Sequence, residues 1–67
     1  MKTVKEKLDS GLYFQLTFFG GSEEYVRREI LKDLIIECGG KLDDENIIYA
    51  MFIWGEVIKQ YPIFNKA

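Results

Sequence analysis

Sixty-seven residues, 48% hydrophobic and 30% charged with a formal net charge of -2, suit one small domain over 1–67. One cysteine and no histidine exclude an intrachain disulfide and a Cys/His zinc site within one chain. A pI near 5.0 argues against a dedicated phosphate-backbone binder, and the apolar content with a single proline argues against disorder.

A core of this size seldom supplies more than about 3–5 kcal/mol net, so packing or association with another chain must stabilise it. The lone Cys38 and the lack of a secretory h-region behind "MKTVKEKLDS" fit a reducing, cytoplasmic setting. The longest apolar run, "IIYAMFIW", falls far short of the ~20 residues that span a bilayer, so no membrane partner is expected.

At the N-terminus, "LYFQLTFF" alternates. Leu12, Phe14, Leu16 and Phe18 share one parity, while Tyr13, Gln15, Thr17 and Phe19 share the other, the period of a strand with one face on a core. Asp9, Ser10 and Gly11 suit a three-residue hairpin loop, so residues 3–8 are expected to pair antiparallel with 12–19. Two other readings stand beside it. Thr3 and Glu6 form a capping-box pattern that would start a short helix over 4–9, and a single helix over 4–19 would have to carry Gly11 inside it.

The next element is a helix over 22–38. Ser22 is its N-cap, Glu23 and Glu24 suit the positive end of its dipole, and Gly39 stops it. Val26, Ile30, Leu31, Leu34, Ile35 and Cys38 make one apolar stripe. Glu23 with Arg27, and Glu24 with Arg28, stand four apart in the favourable order.

A second helix is expected over 44–60, capped by Asp43 or Asp44 and ended by Pro62. Its core face is read as Ile47, Met51, Trp54, Ile58 and Tyr61, stepping by four and three. A buried strand over 47–54 is the alternative there. The fold class is therefore α+β, a β-hairpin (3–8 and 12–19) packed on a two-helix hairpin (22–38 and 44–60), with an all-α three-helix bundle as the alternative. The segment "FQLTFFGGSEEYVRREILKDLIIECGGKLDD" resembles the opening strand, helix and Gly-Gly of a BRCT domain. The resemblance covers less than half of the chain, and too few residues follow for that family's other elements, so nothing is carried over from it.

No residue is assigned a catalytic, cofactor-binding or metal-binding role, and no cofactor is implied. Cys38 lacks a histidine to activate it and reads as a small buried hydrophobe. The Gly-Gly pairs lack the lysine and spacing of a phosphate loop and read as element termini. Asp43, Asp44 and Glu45 read first as helix caps, and second as part of an acidic surface that imitates nucleic acid.

Phe14, Phe18 and Trp54 are expected in the core. Tyr13, Gln15, Thr17 and Phe19 on the other sheet face, and Tyr49, Ala50, Ile53 and Val57 on the far side of the last helix, would then have nothing to cover them. Burying one Ile or Phe is worth roughly 1.5–3 kcal/mol, so leaving several wet is costly in so small a domain. The expected partner-binding residues are thus Tyr13, Gln15, Thr17, Phe19, Tyr49, Ile53 and Val57, with Asp43, Asp44 and Glu45 setting orientation. The function expected is a non-enzymatic regulator or inhibitor, of the kind phages and mobile elements make, acting on a larger protein or as a homodimer. A nucleic-acid mimic or helix-turn-helix-like protein is the alternative, though acids at the start of the recognition helix oppose direct nucleic-acid binding.

Overall fold

The computed structural model describes residues 2–65 and contains no strand among them. Four α-helices follow in order: α1 (Val4–Asp9), α2 (Leu12–Phe18), α3 (Glu23–Glu37) and α4 (Asp44–Gln60), with a 3₁₀ turn at Pro62–Phe64. The expected β-hairpin is absent and the fold is all-α, with one helix more than the bundle alternative.

The local reason sits at Thr3. Its hydroxyl accepts the Glu6 N–H at 3.1 Å, while the Glu6 carboxylate accepts the Thr3 N–H at 3.2 Å. This reciprocal capping box commits 4–9 to helix. Those contacts also hold the exposed Glu6 carboxyl below its usual pKa, the Thr3 backbone hydrogen bond contributing most.

With residues 3–8 taken, 12–19 has no strand to pair with, and an isolated ribbon would be marginal in any case. Gly11, in the left-handed region at φ 77°, turns the chain into α2 instead. The apparent alternation of Leu12 to Phe19 is read out at helical pitch. Tyr13 is buried and Leu16 packs partly against the core, whereas Phe14 is half-exposed and Phe18 lies in the open. The opening strand that the BRCT resemblance implied is helix as well.

α3 has Ser22 as its N-cap, with Ser22 Oγ accepting the Tyr25 N–H at 3.1 Å. It closes in a Schellman arrangement: Gly39 N–H donates to Ile36 O and Gly40 N–H to Ile35 O. Val26, Ile30 and Leu34 form its buried edge, leaving Leu31 and Ile35 on the exposed flank. Glu24, rather than Glu23, takes Arg27, with Nη2 2.6 Å from Oε1, and Arg28 stands 3.9 Å from the same oxygen. The Arg27 hydrogen bond lowers the Glu24 carboxyl pKa, and the same contact raises that of Arg27.

Asp43 caps α4, its Oδ1 accepting the Asn46 N–H at 3.0 Å. The Asn46 amide donates to Cys38 O at 3.0 Å and Lys41 O at 3.3 Å, lashing the α3–α4 connection to the first turn of α4. Tyr61, at φ -128° and ψ 75°, has left the helical region ahead of Pro62, whose ring disfavours helix in the residue before it.

α1 packs against all three other helices, and the shared core is Val4, Leu8, Tyr13, Val26, Ile30, Leu34, Ala50, Ile53 and Val57. The face of α4 expected inside is therefore split. Ile47 and Met51 are exposed, Ile58 is partly buried, and Trp54 and Tyr61 pack partly buried against the core, while Ala50, Ile53 and Val57 hold the interior. The molecule is a slab of 35 × 31 × 18 Å. Its accessible surface of 4879 Å² is about a tenth above the roughly 4,400 Å² expected for a compact chain of its 7.9 kDa mass. A body that thin has one apolar layer to bury and two broad faces to leave wet.

Candidate partner-binding surfaces

Two carboxylates one turn apart on α3 tie the helices together. Asp33 Oδ2 accepts from Tyr13 Oη of α2 at 2.7 Å and from Lys7 Nζ of α1 at 3.2 Å. Glu37 accepts the Val4 N–H, an otherwise orphaned donor at the start of α1, at 2.8 Å, and also the Tyr49 hydroxyl of α4. These contacts use Tyr13 and Tyr49 internally.

Burial first, then the Asp33 hydrogen bond, push the Tyr13 phenol pKa well above the usual 10; the Glu37 hydrogen bond and then burial raise Tyr49 to about 12. A phenol whose folded pKa exceeds its unfolded value lends stability that is complete below pH 10 and is lost as pH climbs through the folded value. Urea midpoints should therefore fall from pH 10 upward. Tyr13→Phe should cost about 1–2 kcal/mol at neutral pH and flatten that alkaline decline.

Of the residues expected to meet a partner, Tyr13, Ile53 and Val57 are inside this chain's own core, because α1 and α3 cover the faces thought bare. Gln15 and Thr17 are exposed, though the Thr17 hydroxyl donates to Phe14 O at 2.7 Å. Asp43 is occupied as a cap, and Asp44 and Glu45 are exposed in the first turn of α4. Phe19 stands in solvent, 86% exposed, beside Phe18 at 80%.

Phe18 and Phe19 end α2, where a second double-glycine closure stops the helix. Gly20 N–H donates to Thr17 O at 3.2 Å and Gly21 N–H to Leu16 O at 2.9 Å. One turn back, Phe14 begins a run of neighbouring rings. Its centroid is 5.5 Å from Tyr61, Tyr61 is 5.3 Å from Phe64, and Phe64 is 6.2 Å from Trp54. The Tyr61 hydroxyl is buried in this run without a partner among the described residues, and desolvation raises its pKa. The second surface is the outward side of α4, where Ile48, Met51 and Phe52 are 72%, 69% and 61% exposed and Ile47 is also open.

Phe18, Ile48, Met51 and Phe52 were not among the expected contact residues. The signal for the last three was present, since α4 is apolar nearly all round. Periodicity did not say which stripe the core would take.

Among the described residues no group of three or more His, Cys, Asp or Glu side chains is placed to hold a metal ion. No described helix is long and apolar enough to cross a membrane. Comparison with family models, curated proteins and solved structures gives no match.

Proposed function

We propose that the chain is a non-enzymatic interaction module, working in a reducing compartment, that regulates a larger protein by occupying part of its surface. The observation that carries this is the pair Phe18 and Phe19, almost fully solvated at the end of α2. Aromatic side chains of this kind are the usual centre of binding energy once a partner covers them. Their backbone is fixed by the Gly20–Gly21 closure, so little ordering cost attends docking. Phe14 and the rings behind it extend the same apolar surface.

The test is affinity capture from the native lysate with wild-type chain and with a Phe18→Ala, Phe19→Ala double variant. Both side chains are outside the core, so circular dichroism and melting should be unchanged within about 0.5 kcal/mol. A protein held by the wild type should be lost, with affinity reduced at least a hundredfold. Equal recovery by both proteins would refute the reading.

A further inference from the structure

We propose that the outward face of α4 pairs with the same face of a second copy of this chain, the two helices running antiparallel across a two-fold axis. This surface belongs to a different element from Phe18 and Phe19 and does not depend on them. Ile48, Met51, Gly55 and Ile58 recur at three- and four-residue steps on the side of α4 away from Ala50, Ile53 and Val57. Ile47 and Phe52 flank them. That spacing is the seam of a helix pair.

Gly55 is the first pointer to another helix. Among the described residues a Cβ built there would meet nothing within 4 Å, so their packing gives no reason for glycine in the middle of a helix. A close-approaching neighbour would supply one. With the seam centred between Met51 and Gly55, the Met51 side chain of each copy falls on the Gly55 gap of the other, and Ile48 meets Ile58.

Charge selects the occupant and its direction. Asp44 and Glu45 stand at the start of α4 and Lys59 in its last turn. Antiparallel copies bring each acidic end to the other's lysine and oppose the two helix dipoles, whereas parallel copies set acid against acid. This self-complementarity is what a two-fold contact requires.

Area agrees. Taking roughly 150–200 Å² for each large side chain, Ile47, Ile48, Met51 and Phe52 at their exposures offer on the order of 450 Å². The rim from Asp44 to Lys59 brings each copy to roughly 600 Å², which for two copies reaches the ~1,200 Å² lower bound of stable interfaces.

Sedimentation velocity from 1 to 100 µM should show a species of twice 7.9 kDa at the upper end. An Ile48→Glu, Met51→Glu double variant, changing only exposed side chains, should remain folded and associate at least a hundredfold more weakly. Phe52→Glu is a second variant for the same purpose.

Direction is read by mixing Ile48→Cys and Ile58→Cys single variants, both in a Cys38→Ser background, with a short bismaleimide. The 48-to-58 product should dominate, because antiparallel pairing holds the two positions 48 about 15 Å apart along the axis. A wild-type monomer at 100 µM, a dimer indifferent to the face variants, or faster 48-to-48 linkage would each overturn the proposal. None of these results would bear on capture through Phe18 and Phe19.

Discussion

Ile30→Ala should leave the chain largely unfolded at 37 °C. Ile30 has no solvent exposure and occupies the middle of the α3 stripe, between Val26 and Leu34, where all four helices contribute to one cluster. Removing its outer carbons from such a site costs about 2–5 kcal/mol, through lost transfer energy and the cavity left behind. A core of this size supplies only about 3–5 kcal/mol, so one substitution consumes nearly all of it.

Far-UV circular dichroism at low micromolar concentration, with urea titration of wild type alongside, reads the effect. Ile30→Val, which deletes a single methylene, should retain the fold at a cost of about 0.5–1.5 kcal/mol. Phe18→Ala, which removes a larger but solvated side chain, should cost almost nothing. That order, with the smaller buried residue mattering most, separates core from contact surface; an Ile30→Ala protein melting near wild type would contradict this core.

How the sequence read its own fold varied with how many signals agreed at each element. α3 has a polar N-cap, acids in its first turn, an apolar stripe at helical spacing and a double-glycine stop, and it stands where those signals placed it. The N-terminal segment carried conflicting signals. Four alternating apolar residues in 12–19 favoured a strand, while Thr3 and Glu6 favoured a helix just before it. Strand pairing needs two partners and the capping box needs only its own first turn, so the local device prevailed and left the alternation without meaning.

The surplus of apolar surface was legible, and its address was not. α4 offers two stripes with the same three-and-four spacing, one of large residues at Ile47, Met51 and Trp54, the other smaller at Ala50, Ile53 and Val57. The longer stepping of the first, on to Ile58 and Tyr61, favoured it as core. The structure packs the second beneath α1, where Tyr49 also reaches Glu37, and leaves Ile47 and Met51 of the first outside, with Trp54 and Tyr61 partly buried against the core. Periodicity ranks faces by hydrophobicity, but burial is decided by which face the neighbouring helix and its polar ties can approach.

Gly21→Ala is the other change expected to do great harm, although Gly21 is neither in the core cluster nor strained in φ. A Cβ there would stand 2.7 Å from the Leu16 carbonyl oxygen and 3.1 Å from the Tyr25 ring. The oxygen is backbone and cannot rotate aside. It also accepts the Gly21 N–H, so relieving the clash breaks the hydrogen bond that closes α2.

Overpacking of this kind costs about 1–3 kcal/mol, and the lost bond adds about 1 kcal/mol. Gly55→Ala makes the informative contrast. Nothing lies within 4 Å of its Cβ, and alanine in a helix interior is favoured by about 0.8–1.0 kcal/mol. Measured by urea titration below the concentration at which copies pair, Gly21→Ala should lower stability by about 2–4 kcal/mol and Gly55→Ala should raise it. Because Gly21 sets the path from α2 into α3, a folded residue of the Gly21→Ala population should also capture partner poorly, with Phe18 and Phe19 still present but turned from their position. Equal melting of wild type and Gly21→Ala would mean that α2 does not end where this geometry ends it.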